Sequence, residues 1–368
     1  MKKILSTLGA ILLTAAVFAA PSHAQYASED LIGNGDQYGP PKGTAPHLFT
    51  QPLIFPVGDS ATISFDGDID FGGRFGRFHG INIPSLLLKG TLGSTLTTTT
   101  SLGWDFGARI EGSGLVSYTF DVPDPLFAEA PLRGVKAYVF ADTPTIDLAV
   151  GRFDPEALEN SGRGTLNRII DPPETKFSSA VGGRLAGSIG TKQGPWTVTA
   201  AADIDNRQYA ALQWKRPVRT VTPSIGIEFL RDGNFDLATT PLSFGVQPGT
   251  AQLYGTRAGA QLEYGRLTFG ASAGLEAFYD GTTMLEVQSM YDVGISNKTG
   301  RFIYGVSAQH RRSHQVPVSS TSVLTDMTIA LTRGVDLELA YKFRRIDDQA
   351  LLEPIYEHAA LVDMRVKF

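Results

Sequence analysis

Apolar and polar residues alternate one by one over most of the chain. In 104–121, Trp104, Phe106, Ala108, Ile110, Val116, Tyr118 and Phe120 share one parity, and Asp105, Arg109, Glu111, Ser113, Ser117 and Thr119 share the other. The segment 285–296 sets Leu285, Val287, Tyr291, Val293 and Ile295 against Glu286, Gln288, Asp292 and Ser296. The last stretch, LVDMRVKF, sets Ala360, Val362, Met364, Val366 and Phe368 against Asp363, Arg365 and Lys367. Period-two alternation places the two sets on opposite faces of a strand. The pattern starts at Ala61 and recurs in 61–75, 253–264, 267–279, 302–311 and 335–344.

Several of these runs are far longer than the 5–6 residues or so usual for a sandwich strand. Tight connections such as YGR (264–266), NKTG (297–300) and TRGV (332–335) alternate with looser ones, DGTT, RRSHQVPVSSTS and DDQALLEPIYEH. Short turns at one end, longer loops at the other and one greasy face mark a transmembrane β-barrel. Tyr254 and Tyr264, at the two ends of one strand, and Tyr341 with Phe343 suit aromatic girdles. Turn-delimited segments number about sixteen; an even count puts both termini on the periplasmic side and leaves no strand edge in lipid. The expected fold is all-β: a transmembrane antiparallel barrel of about sixteen strands over 61–368, with short periplasmic turns and longer extracellular loops.

The N-terminus, MKKILSTLGAILLTAAVFAAPSHAQ, supplies the export route. Lys2 and Lys3 precede an apolar run from Ile4 to Ala20, and Ser22-His23-Ala24 offers small residues for cleavage after Ala24. Residues 1–24 are therefore expected to be a cleaved signal peptide. Residues 25–60, rich in Pro and Gly and without periodicity, are expected to be an irregular extension. Removing the signal leaves 30 of the 32 basic residues against 37 acidic ones, a formal charge of −7. That argues against nucleic acid as a partner, since phosphate binding needs a basic surface. Cysteine is absent, which excludes disulfides and thiolate metal sites. A mean hydropathy of −0.04 fits strands with one apolar and one polar face.

A sixteen-stranded barrel is too wide for its own side chains to fill and encloses an aqueous channel. The hairpin VKAYVFADTPTIDLAVGRF (135–153) runs into the longest loop, DPEALENSGRGTLNRIIDPPETKFSSAVG; loops of this length are usually functional. With its signal peptide, strand count, LAVGRF before the long loop and terminal MRVKF, the sequence resembles the Gram-negative general porins over about 61–368. That family's PEFGG loop tip is replaced here by DPEALENSGRG. The resemblance implies a trimeric, water-filled diffusion channel of the outer membrane whose third loop, 154–181 here, folds into the lumen. It also implies that the closing strand, with Met364, Val366 and Phe368, is the signal read by the barrel-assembly machinery.

The charges fit such a constriction. The loop carries Asp154, Glu156, Glu159, Asp171 and Glu174 against Arg163, Arg168 and Lys176, and the wall offers inward-facing Arg74, Arg109, Arg344 and Arg365. Acids facing bases across a narrow pore set up a transverse field that favours small polar solutes. Asp66, Asp68 and Asp70 alternate on the first strand as an acidic ladder in the periplasmic half; solvated wall charge is the plainer reading beside a divalent-cation site. Loop and ladder together predict a mild cation preference unless the arginines cancel it. His310 and His314 in HRRSH lie at a strand–loop edge as surface residues, and no motif pairs a histidine with a serine nucleophile. GRFGRFHG (73–80) precedes no helix and is no phosphate loop. No enzyme activity, cofactor or metal is expected; the partners are outer-membrane lipid, small hydrophilic solutes and sister subunits. The alternatives are a sugar- or anion-selective porin of the same fold, and a non-conducting adhesin or receptor plugged by 25–60.

Overall fold

Long alternating runs become long antiparallel strands in the computed structural model, which describes residues 52–58, 60–78, 81–82, 85–119, 128–153, 185–236, 250–332, 334–348 and 353–367. In chain order the strands are β1 (Leu53–Val57), β2 (Ala61–Phe78), β3 (Ile81–Asn82), β4 (Ser85–Thr99), β5 (Asp105–Thr119) and β6 (Ala128–Asp142). There follow β7 (Ile146–Arg152), β8 (Leu185–Gln193), β9 (Trp196–Asp203), β10 (Arg207–Lys215), β11 (Val221–Asp236) and β12 (Thr250–Tyr264). The last are β13 (Leu267–Asp280), β14 (Thr283–Thr299), β15 (Phe302–Ser313), β16 (Val318–Thr332), β17 (Val335–Asp348) and β18 (Ile355–Lys367).

From β4 to β18 each strand pairs antiparallel with the next, β4 pairs with β2, and β18 returns to β2 with Leu361 opposite Arg74 and Arg365 opposite Asp70. The result is a closed ring of sixteen strands, with β1 and β3 as short additions to β2. Closure through β18 and β2 leaves the ring with no open side, as a lipid-exposed sheet requires.

The expectation that 25–60 is irregular throughout is corrected at β1, which pairs Leu53 with Phe65 and Val57 with Ala61. β18 ends at the Lys367–Asp68 pair, so β2 outruns it, and β1 covers the edge that would otherwise stand open. Leu53, Phe55 and Val57 do alternate, but the run is short and contains Pro56. That proline is tolerated because β1 is itself an edge strand. The stretch 181–230, hard to divide by pattern, holds the three short strands β8, β9 and β10 and the start of β11.

At one end of the ring, the turn end, the connections are 100–104, 143–145, 194–195, 216–220, 265–266, 300–301 and 333–334. Gly265 and Gly300 open two-residue turns at φ 57, a left-handed conformation that glycine enters without steric cost. The opposite, loop end carries 79–84, 120–127, 153–184, 237–249, 314–317 and 349–354. Two of its connections are tight: 204–206, and 281–282 within DGTT, which was expected to be loose but is closed by Gly281 at φ 58.

Burial fixes which face is which. Phe71, Ile110, Tyr291 and Val293 are more than half exposed, whereas Asp70, Glu228, Arg257 and Asp292 are at most 6% exposed. A soluble monomer rarely exposes a contiguous apolar patch beyond a few hundred Å² or so, and here the apolar face runs around the ring. Apolar outside and charged inside is the inversion a membrane-spanning barrel requires.

Candidate pore wall

The inward set of β2, β4, β5, β6 and β18 forms a network of two adjoining ion-pair clusters. Arg109 donates through Nη1 to Asp66 Oδ1 at 2.8 Å and to Thr95 Oγ1 at 2.9 Å, and through Nη2 to Asp66 Oδ2 at 2.7 Å. The same Nη2 reaches Glu111 Oε2 at 3.0 Å, and Lys136 Nζ meets Glu111 Oε1 at 3.2 Å. Arg365 binds Asp68 and places Nε 3.4 Å from Asp70 Oδ1, while Lys89 Nζ lies 4.0 Å from Asp70 Oδ2. Four carboxylates thus meet four cations.

The register explains the reach of Arg109. Asp66, Gly93 and Glu111 stand side by side on β2, β4 and β5, so the two carboxylates are two strand spacings, about 10 Å, apart. A Cβ on Gly93 would lie 2.6 Å from Arg109 Nη2 and 3.0 Å from Asp66 Oδ1. The bare backbone there is the floor on which the guanidinium rests. Sequence reading had singled out the acidic ladder and Arg109 with Arg365 as separate features; the fold brings them together, so the ladder is compensated.

Half the ring away, on β10 to β15, a second network lines the wall. Arg257 Nη2 lies 2.9 Å from Asp292 Oδ2 and 3.0 Å from Ser272 Oγ, and Nη1 is 3.8 Å from Glu228 Oε1. Tyr209 donates its hydroxyl to Glu228 Oε2 at 3.2 Å, and Arg311 Nη2 is 3.2 Å from Glu276 Oε2. Sequence reading put none of these in the site, although they share the inward parity; only the register shows that they meet. Arg344, expected on the wall, donates Nε to Ser320 Oγ at 2.9 Å and has Nη1 3.6 Å from Glu357 Oε2.

Between the networks, β17 and β18 put like charges together. Glu338 stands directly opposite Asp363, and neither carboxylate oxygen of Asp363 meets a protein donor. Nearer the loop end the inner wall also carries an apolar band. It includes Phe153, Tyr209, Leu230, Leu253, Phe278 and Met290, all 6% exposed or less.

Other expected site residues are placed less fully. Met364 and Val366 lie on the outer face of β18, opposite Phe71 and Ile69 of β2. Arg74 is placed on β2, between Ser85 and Leu361. Asp154, Glu156, Glu159, Asp171 and Glu174 lie outside the described residues, as do Arg163, Arg168, Lys176 and Phe368. His310 is on the outer face with Nδ1 2.9 Å from Thr321 Oγ1, and His314 is in the exposed 314–317 connection. Among the described residues no group of three His, Cys, Asp or Glu side chains is arranged to hold a metal.

No protein-family model matches the chain, and no curated protein matches its sequence. Solved structures do. A loop-L8 deletion mutant of OmpT, an outer membrane protein of Vibrio cholerae, aligns over 84% of this chain and 100% of its own with TM-score 0.59 and 11% identity. An in-vitro folded OmpT of the same organism, described in trimer form, aligns over 84% and 100% with TM-score 0.57 and 11% identity. OprB of Pseudomonas putida, in a high-pH structure, aligns over 84% and 94% with TM-score 0.58 and 10% identity. The chain has the porin-like fold of Gram-negative outer-membrane barrels.

Proposed function

We propose that this protein is an outer-membrane channel through which small hydrophilic solutes and ions diffuse passively. The observation that carries the reading is a closed ring of sixteen strands with an apolar outer face and an inner face lined by ion pairs. Rings of about 16–18 strands enclose water, and paired charges on the wall keep it wetted and polar without a deep binding site. The role is passage, with no covalent chemistry. Residues 1–24 serve as the cleaved export signal, the turn end faces the periplasm, and the working unit is a homotrimer, as one of the OmpT structures is described.

Loop 154–181 is assigned the constriction, with Asp154, Glu156, Glu159, Asp171 and Glu174 as its acids. Two features support this. Phe153, where the loop leaves β7, is buried against Tyr138 with ring centroids 5.5 Å apart, so the chain enters the loop from the inner wall. The inner apolar band also offers a segment lying inside the barrel something to pack against.

The test is conductance of the purified mature protein in a planar bilayer under a KCl gradient. Stepwise openings in multiples of three are expected, with a larger unit step once 156–178 is replaced by a short Gly-Ser linker. A silent membrane from correctly folded, heat-modifiable protein would refute an open pore and favour a plugged barrel.

A further inference from the structure

The outer wall carries few charges, and they are placed unevenly. Among strand residues whose exposure is described, the outward charges are Arg152, Arg231, Arg312, Arg345 and Asp347, and all five stand in the loop-end half of the ring. At the turn end, Arg216, Arg219, Arg266 and Arg301 sit in the turns themselves, and the strand lysines Lys215, Lys298 and Lys367 are on the inward parity. Arg345 is committed to Asp347, with Nε and Nη2 at 2.9 and 2.7 Å from Oδ1.

Arg231 differs from the rest in having a cavity beside it. On β10 to β13 a groove of about 480 Å³ opens in the outer wall. Two ladder rows form it. The row nearer the loop end runs Gln208, Arg231, Tyr254, Ala277, and the row nearer the turn end runs Ala210, Phe229, Thr256, Leu275. The small residues Ala210, Thr256 and Ala277 hollow the surface between Phe229, Tyr254 and Leu275. The groove is therefore polar toward the loop end and apolar toward the middle of the wall.

The Arg231 guanidinium lies 5.8 Å from the Tyr254 ring centroid, and its buried Nε meets no hydrogen-bond acceptor. The neighbouring carboxylates, Asp232 and Glu228, are on the opposite face of the sheet. We propose that this groove seats one lipid of the loop-end leaflet, its headgroup phosphate on Arg231 and one acyl chain over Phe229, Thr256 and Leu275. Arginine is suited to phosphate because its fork of donors matches the oxygens, and a cation at a lipid-facing interface draws anionic headgroups. A second copy of the chain is the poorer occupant. Among strand residues whose exposure is described, the one outward carboxylate is Asp347, already held by Arg345, so that part of the wall brings Arg231 no anion from a copy. The proposal rests on the wall spanning a bilayer but not on the pore being open.

Native mass spectrometry of the full mature chain in neutral detergent tests it, with diphosphoryl lipid A as probe and phosphatidylcholine as control. Wild type should retain one lipid A per chain in preference to phosphatidylcholine. Arg231→Gln should weaken retention about tenfold, close to the loss of one charge-assisted hydrogen bond. Ala277→Trp, which fills the groove and keeps the arginine, should also release the lipid. Both variants should keep wild-type conductance, which shows that they fold. Undiminished lipid A retention in both would overturn the assignment. So would a loss of trimer in Arg231→Gln with lipid retention unchanged, which would make the face an interface between copies. A wild type that binds lipid A at this groove yet conducts nothing would remove the open pore and leave this site standing.

Discussion

Arg109 on β5 grips both oxygens of Asp66 on β2, at 2.8 and 2.7 Å, by lying across Gly93 on the strand between them. The arginine is 21% exposed and the aspartate 34%, so solvent screens the pair and its worth is about 1 kcal/mol or less. Its larger consequence is electrostatic, because it neutralises a carboxylate on the pore wall.

Arg109→Ala should therefore barely shift unfolding but leave Asp66 and Glu111 short of one cation. The measurement is reversal potential under a KCl gradient, expected to move toward cations. Gly93→Ala should reproduce that shift in part: its Cβ meets the far end of a flexible side chain, so the guanidinium swings aside at little cost in stability. Reversal potentials identical to wild type in both variants would mean the pair is remote from the ion path.

Gly72 predicts the opposite balance. A Cβ there would lie 2.6 Å from the Val362 carbonyl oxygen and 2.7 Å from Asp363 Oδ1, on the seam between β2 and β18. Backbone cannot swing away, so Gly72→Ala should cost about 1–3 kcal/mol, as overpacking does. Gly90→Ala is the control, since nothing lies within 4 Å of its Cβ. The temperature at which heat-modifiable migration is lost should fall for the first and hold for the second.

Removing β1 tests the seam from the other side. Leu53–Val57 pairs with Ala61–Phe65, and Phe55 packs edge-on against Phe65 with ring centroids 6.0 Å apart. A chain beginning its mature sequence at residue 59 should still close its sixteen-strand ring, because β18 pairs with β2 independently of β1. It should exchange amide hydrogens over 61–65 much faster, since that edge of β2 then has no partner. Unchanged protection over 61–65 would show that β1 is not its cover in solution.

How far the sequence could be read follows from the range over which each signal acts. Alternation is local, so the strands, the ring and the inward parity of Asp66, Asp68, Asp70, Arg109 and Arg365 are visible along the chain. Partnership is not local. Asp66 and Arg109 are 43 residues apart and Asp68 and Arg365 are 297 apart; their meeting depends on register and on closure at β18. For the same reason Arg257, Glu228 and Asp292 read only as inward residues of separate strands. β1 was hidden by Pro56 and by its length. The outer groove was invisible because it depends on small residues aligning across four strands, which no single strand reveals.

The remaining prediction concerns Glu338 and Asp363. They are direct cross-strand neighbours on the inner wall, an arrangement disfavoured for like charges, and Asp363 finds no protein donor for either oxygen. Several other acids of the wall are matched: Asp66 and Glu111 by Arg109, Asp68 by Arg365, Glu276 by Arg311 and Asp292 by Arg257. The unmatched carboxylates should therefore set the sign of the wall potential, and mobile cations should collect there at the expense of anions. Glu338→Gln with Asp363→Asn keeps side-chain volume and removes the charge. The double variant should fold at least as well as wild type, since a like-charge contact is relieved. Its cation-to-anion permeability ratio should fall about sevenfold, because a change of one kT in local potential lowers cations and raises anions by about 2.7-fold each. A ratio that does not move would place selectivity at the loop acids, and the same substitution in Asp154, Glu156 and Glu159 would then have to carry the effect.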